Sequence, residues 1–319
     1  MTPTIPIFIP SYHRPDNLKT VRYYVGKGYP AELIHVFIDS EADDKYEYRA
    51  ACKGFGCKLH VFDMEEARAR YDYVHRPSES RRSAGQARNM FFDYAKENDI
   101  SFYMVQDDDT NNYQTRPFCV YHHASELSEI VETFEAVREM MERQHIGLFG
   151  LSQTGDIYSN AINATLFRKK VMNTTFVNTP YLYRGERGVQ DDDTSLFVGV
   201  MNEGLFTGSL ASGLVLLQTG SATSRGGLTD LYKECKLLNK SLVTPIQFPS
   251  AIHAEKQTKN GSRLHHRVNY RYLMPCVMKG ERNNIAWDAY PEDTPFTNEP
   301  KRADTEKYKY EPSTFENYE

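Results

Sequence analysis

Short apolar, β-favouring runs recur along the first fifth of the chain, at Pro6–Pro10, Leu33–Ile38 and Lys58–Phe62, with turns and helix-forming stretches between them. Strands returning every roughly 25 to 30 residues with helices between them specify an α/β fold with a parallel sheet and helical crossovers. The first run leads directly into Ser11-Tyr12-His13-Arg14-Pro15-Asp16, a polar turn that opens a helix near Asn17–Val25. The second is closed by Asp39-Ser40 and followed by a helical stretch, Ala42–Lys53, with Gly54-Phe55-Gly56 as its stop. In open sheets of this kind ligands bind outside the carboxyl ends of the strands, so the residues just after each run are the first candidates for chemistry.

The pattern continues with a charged stretch, Arg68–Arg82, read as a surface loop, and a helix over Ser83–Lys96 capped by Ser83. Its apolar positions Ala84, Ala87, Phe91, Tyr94 and Ala95 leave Gly85, Arg88 and Asn89 in the first turns. The uncharged run Ile100–Gln106 reads as a buried strand, ending abruptly in Asp107-Asp108-Asp109. Ser125–Gln144 is strongly amphipathic, with Leu127, Ile130, Val131, Phe134, Val137 and Met141 on one face, and is structural. Ile146–Leu151 is a further strand. Ile157–Phe167 and Thr174–Tyr183 are shorter ones, compatible with an antiparallel arrangement. A Gly-rich loop from Arg184 then carries a second acidic triplet, Asp191-Asp192-Asp193, into a helical segment. Leu214–Leu217 is a late strand, and Thr219–Gly227 is either a phosphate-approaching loop or an ordinary one. The expected division is a core over 1–200, a smaller mixed region over 201–290 and a Pro-rich, charged tail over 291–319.

Composition narrows the function classes. A net charge of −5 argues against indiscriminate nucleic-acid binding, which depends on neutralising phosphates. Basic residues nevertheless concentrate between Lys256 and Arg282. The five cysteines form no Cys-x-x-Cys pair, so neither a disulfide framework nor a zinc site is expected. The chain has no membrane-length apolar run and no signal-type leader, which predicts a cytoplasmic protein without membrane insertion.

Three adjacent carboxylates repel one another, and a divalent cation with oxygen ligands relieves this; a solvated acidic turn is the plain alternative. The order of motifs is more informative than any one of them. Pro10-Ser11-Tyr12 after a strand, Asp39 after a strand, Gly85-x-Ala87-Arg88-Asn89 at a helix start, Asp107–Asp109 and a later Asp191–Asp193 together resemble the GT-A glycosyltransferases over roughly residues 5 to 200. The resemblance implies a Rossmann-like, mostly parallel sheet flanked by helices and a UDP-sugar donor bound with Mn2+ or Mg2+. It implies that Pro10, Ser11, Tyr12 and Arg14 border the nucleoside, that Asp39 meets the base, and that Gly85, Arg88 and Asn89 face the same nucleotide. Asp107 and Asp108 would lie at the ribose and phosphates, and Asp109, with Asp107, would hold the metal. The later acidic element would supply the general base of an inverting reaction; its register leaves Asp192 first and Asp193 second. A late histidine often completes such sites, and His253 ranks ahead of His265 and His266 because it follows the apolar segment Phe248–Ile252.

The sequence departs from the commoner bacterial pattern in having Val105-Gln106-Asp107-Asp108-Asp109 where many members show Glu-Asp. Its compact layout, Arg81-Arg82, the Ser221–Gly227 loop and the basic run with Tyr270, Tyr272 and Trp287 look like the phage-type TET-associated glycosyltransferases. That resemblance implies modified DNA as acceptor, a 5-hydroxymethylated pyrimidine whose base must be exposed to the site. A cell-surface glycan or protein acceptor, a non-catalytic nucleotide- or DNA-binding module, and a metal-dependent nuclease or phosphatase are the competing readings.

Overall fold

The structure is a computed structural model that describes residues 2–70, 84–110, 112–116, 122–123, 126–152, 171–182, 191–203, 205–210, 213–217, 241–257 and 263–273. Residues Met1–Val277 form one compact unit. At its centre is a seven-stranded sheet, built in chain order from β1 (Ile7–Pro10), β2 (Ile34–Asp39), β3 (Lys58–Phe62), β4 (Phe102–Gln106), β7 (Leu148–Leu151), β8 (Thr174–Asn178) and β9 (Thr207–Leu210). The spatial order is β3-β2-β1-β4-β8-β7-β9. β1, β2, β3 and β4 are parallel, β8 runs antiparallel to both β4 and β7, and β9 is again parallel to β7. The sheet is mostly parallel, as the strand–helix alternation requires.

Side chains alternate between two differently built faces, as a two-residue period demands. Ile7, Ile9, Val36, Ile38 and Met104 form an aliphatic face. Against it pack α1 (Lys19–Gly26), α2 (Lys45–Phe55) and α5 (Leu127–Arg143), which contribute Val21, Tyr48 and Phe134 among others. Phe8, Phe37 and Tyr103 form the opposite, aromatic face beneath α4 (Ala84–Glu97) and α6 (Asp192–Asn202). Phe8 stacks on Tyr103 at 4.6 Å and Phe37 meets Phe91 at 4.5 Å. Strands covered on both sides explain why their sequences read as continuous apolar runs.

Several expected boundaries shift for local reasons. The helix expected at Ala42 begins at Lys45, after a turn containing Asp43 and Asp44, and runs to Phe55. Its stop is Gly56 at φ 77, the left-handed conformation that favours glycine at a helix end. Part of the stretch read as a loop from Arg68 is helical, in α3 (Met64–Arg70). Asn112, a turn former by residue type, opens β5 (Asn112–Arg116), which pairs with β6 (His122–His123) and β10 (Gly213–Leu217) in a three-stranded sheet. The segments that carry His253 and His265-His266 pair as an antiparallel hairpin, β11 (Ile252–Gln257) and β12 (Arg263–Val268). Ser83, Ile157–Phe167, Thr219–Gly227, Trp287 and the tail lie outside the described residues. No helix among the described residues is long and apolar enough to cross a membrane.

Away from the carboxyl edge, the buried His35 on β2 and the half-buried His60 on β3 form an imidazole pair. His60 Nε2 lies 3.1 Å from His35 Nδ1, and Lys58 Nζ lies 3.5 Å from His35 Nε2. Burial, reinforced by the Lys58 charge, lowers His35 from 6.5 to about 3 and His60 from 6.5 to about 4. The unfolded chain therefore takes up protons that the folded chain refuses. The stability this pair contributes is present above pH 6.5, is lost progressively as the pH falls below 6.5 and the unfolded chain protonates, and is gone once the pH has passed through about 4 for His60 and about 3 for His35. Thermal melts at about pH 6.5 and about pH 4.5 should show the natural protein losing roughly 2 kcal/mol more than a His35→Gln variant. Equal losses would show that the pair does not set the acid sensitivity.

Candidate active site

The carboxyl ends of β1, β2 and β4 lie side by side, with β1 and β4 adjacent where the order of crossovers reverses. That is the switch point at which an open α/β sheet opens a crevice. Ser11 and Arg14 leave β1 on one side of it, and Asp107, Asp108 and Asp109 leave β4 on the other.

The middle acid of the triplet is turned inward. Ser11 Oγ donates to Asp108 Oδ2 at 2.6 Å, and Arg14 Nη1 donates to Asp108 Oδ1 at 2.9 Å. Tyr48 Oη accepts the Arg14 backbone N–H at 3.0 Å and lies 2.8 Å from Ser11 Oγ. Burial pushes the Asp108 carboxyl up to about 6, against the opposing pull of Arg14 and Ser11. Ser11, Arg14 and Asp108, expected at the nucleotide, thus tie the β1 turn to the end of β4. Thr20, in the first turn of α1, fixes the backbone beside them. Its hydroxyl donates to the Asp107 carbonyl and accepts the Thr110 N–H at 2.9 Å, and its N–H reaches the Asp108 carbonyl at 3.2 Å.

Gln106 anchors the strand end from below. Its Oε1 accepts from Tyr113 Oη at 2.5 Å and Tyr24 Oη at 3.2 Å, and its Nε2 donates to Thr110 Oγ1 at 2.6 Å. Gln106, Tyr24 and Tyr113 are fully buried. Removing one member of a satisfied buried network leaves the others facing an apolar interior. Gln106→Leu is expected to destabilise the protein by about 2–4 kcal/mol, read as a lower denaturation midpoint.

Arg88 joins the two acidic clusters. From the first turns of α4, its Nη2 donates to Asp107 Oδ1 at 2.8 Å and its Nη1 donates to Asp192 Oδ2 at 2.7 Å. Asp192 opens α6 and is buried, while the neighbouring Asp191 adopts a left-handed φ of 54. Acids at a helix start are favoured by the helix dipole, which accounts for the placement of Asp192 and Asp193 without any chemistry. The dipole does not account for an arginine reaching Asp192 from another helix. Asp193 Oδ1 accepts the Thr194 N–H at 2.7 Å. Asp193 also lines, with Arg88, Asn89 and Leu196, a cavity of about 30 Å³, large enough for one or two waters and too small for a sugar.

The remaining candidates divide. Asp39 is buried at the end of β2, where its Oδ1 accepts the Glu41 N–H at 2.9 Å. Pro10 pairs with Phe37, and the Tyr12 ring lies 3.9 Å from that of His13. Gly85 and Asn89 are buried in α4. His253 does not reach the acids. Its side chain is 58% exposed, and it shares a face of the hairpin with Glu255, 3.6 Å away, and with Arg267 opposite it. The hairpin register places Ala254 and His266 on the other face, and His266 Nδ1 lies 3.0 Å from Asp191 Oδ2. Tyr270 is half-buried and packs against the core, its ring 6.4 Å from that of Phe197, whereas Tyr272 is exposed.

A family model for TET-associated glycosyltransferases matches residues 5–226. The chain belongs to that family. The matched region spans β1 to β10 and includes both acidic clusters. Among solved structures, this glycosyltransferase is similar to the M. tuberculosis glucosyl-3-phosphoglycerate synthase, with 11% identity over 86% of this chain and 93% of that one and a TM-score of 0.45. The same synthase with Mn2+, UDP-glucose and phosphoglyceric acid gives 12% identity over 84% and 90%, with a TM-score of 0.42. Mouse xyloside xylosyltransferase 1 gives 11% identity over 65% and 84%, with a TM-score of 0.34. No curated protein compared with the chain matches it.

The donor set of the family member suits a hard cation. With Asp108 committed inward, Asp107 and Asp109 are the carboxylates of the triplet open to the crevice, their side chains 29% and 17% exposed. Arg14 Nη1 lies 4.0 Å from Asp109 Oδ2, beyond hydrogen-bond distance. Among the described residues, three metal-competent side chains with ligand atoms within 4.8 Å of one another occur at His13, Asp43 and Asp44, not at the triplet. Two carboxylates suit a Mg2+- or Mn2+-type ion whose shell is completed by substrate phosphates and water rather than by an all-protein cage.

Proposed function

We propose that this glycosyltransferase moves a sugar from a UDP-sugar to a hydroxyl acceptor with inversion, and that the acceptor is a 5-hydroxymethylated pyrimidine in DNA. The observation that carries the reading is Arg88, which draws the acids after β4 and the acids opening α6 into one site. Asp107 and Asp109 would hold Mn2+ or Mg2+, which offsets the charge gathering on the departing diphosphate. Pro10, Tyr12, Asp39, Gly85 and Asn89 border the crevice on the nucleoside side. Asp192 takes the proton of the acceptor hydroxyl. The acceptor oxygen then bonds to the anomeric carbon, the bond from that carbon to the phosphate oxygen breaks, and its electron pair leaves with UDP. Asp193 is the second choice for base.

Support for a DNA acceptor comes from the TET association in the family name and from the basic stretch that begins in the hairpin, where Lys256, Arg267 and Tyr272 are exposed. Cationic and aromatic side chains together suit phosphate tracking and base stacking. The test is incubation with radiolabelled UDP-sugars, Mn2+ and duplex DNA containing 5-hydroxymethylcytosine, with unmodified DNA as the control. Label confined to the hydroxymethylated DNA is the expected result. Label confined to glycan or protein would move the acceptor to those classes, and UDP-sugar left intact under every condition would favour a non-catalytic module.

A further inference from the structure

We infer that Arg88 is a clamp operated by the donor, holding Asp192 until a nucleoside diphosphate and its cation take over the guanidinium's contacts with Asp107 and Asp192. The inference rests on the donor reading above and adds a coupling between the donor and acceptor halves of the site.

The observation is the division of one guanidinium between two elements. Its two terminal nitrogens are engaged at 2.8 Å by Asp107, which follows β4, and at 2.7 Å by Asp192, which lies 104 residues further along than Arg88. The Arg88 side chain is 13% exposed and that of Asp192 is 7% exposed, so water screens the pair weakly. In this arrangement Asp192 Oδ2 accepts an Arg88 N–H, which holds the carboxylate toward α4 and engages one of the lone pairs an incoming hydroxyl would use. The planar fork that suits a diphosphate is likewise already occupied by carboxylates.

Donor binding changes both ends of this arrangement. A cation beside Asp109 draws the Asp107 carboxylate toward itself, which releases Nη2. A diphosphate delivered to the same crevice is a stronger bidentate partner for the fork than a single oxygen of Asp192, which releases Nη1. Asp192 is then left at the mouth of a filled donor site with a free lone pair. The base is thereby exposed when there is a sugar to transfer and masked when there is none.

The clamp predicts that Asp192 competes with the diphosphate for Arg88. UDP binding to the full chain in the presence of Mn2+ should be measured by calorimetry for the natural protein, Asp192→Asn, Arg88→Ala and the double variant. Asp192→Asn should bind UDP roughly tenfold more tightly, whereas in the Arg88→Ala background the same change should alter the Kd by less than about twofold. Unchanged or weaker binding in Asp192→Asn would overturn the clamp. Equal tightening in both backgrounds would also overturn it, because that pattern reports plain repulsion between Asp192 and phosphate. If Arg88→Ala does not fold, Arg88→Gln, which keeps a polar side chain without the charge, provides the second background. A natural protein that binds no UDP with either Mn2+ or Mg2+ would remove the donor reading itself, an outcome distinct from failure of the clamp.

Discussion

Asp109→Asn is expected to lower sugar transfer by about a thousandfold and to abolish the dependence of UDP binding on Mn2+. Asp108 is consumed by Ser11 and Arg14, and Asp107 is shared with Arg88, which leaves Asp109 as the acid of the triplet least engaged by its described neighbours. Asparagine preserves shape and one carbonyl oxygen but removes the charge that a hard cation requires. Its cost to stability should be small, since the Arg14 contact is at 4.0 Å and Arg14 keeps Asp108. Calorimetric titration of UDP with and without Mn2+, together with initial rates, checks both parts. A variant that keeps metal-dependent UDP affinity would remove Asp109 from the cation site.

Asp192→Asn should lower kcat by about a hundredfold to ten-thousandfold, the range attached to a positioned general base. The loss should fall on transfer and spare donor capture if Asp192 is the base proposed above, which acts on the acceptor hydroxyl and not on the donor. Reduced turnover with undiminished UDP affinity would separate it from a merely structural acid. Asp193→Asn serves as the comparison. The Asp193 carboxylate is held by the Thr194 N–H of its own helix, and its loss should cost less than about tenfold. If the Asp193 variant shows the larger loss, the two registers of the acidic element must be exchanged.

The parallel half of the fold was legible because its central strands are buried on both faces, its edge strand β3 still reads as a β-favouring run, and its helices carry clean periods. Ile7–Pro10, Ile34–Asp39, Lys58–Phe62 and Phe102–Gln106 fall where the apolar runs place them. β5 was hidden because Thr110, Asn111 and Asn112 are turn formers by type, yet β10 draws Asn112 into a ladder. At the site, the positions of the acids after β4 and before α6 were readable, but their partners were not. Arg88 reaches a residue 104 positions away, and no local pattern encodes that pairing. Tyr48, Thr20 and Gln106 were overlooked because each resembles an ordinary core or helix residue until the strand ends are assembled. The choice between His253 and His266 depended on a hairpin register: residues of opposite parity face opposite ways, and the register puts Ala254, not His253, across from His266.

The sequence separations within the site also set an order of assembly during synthesis. Ser11 meets Asp108 across 97 residues and Arg14 meets Asp108 across 94, so the donor half can close once β4 has left the ribosome and found β1. Asp192 is made 83 residues after Asp109, and until then Arg88 can hold Asp107 but not Asp192. A nascent chain should therefore become competent to bind nucleotide before it contains Asp192, the base proposed above, as expected for domains that build from the N-terminus. Chains stalled between these two points would be expected to bind UDP without transferring sugar.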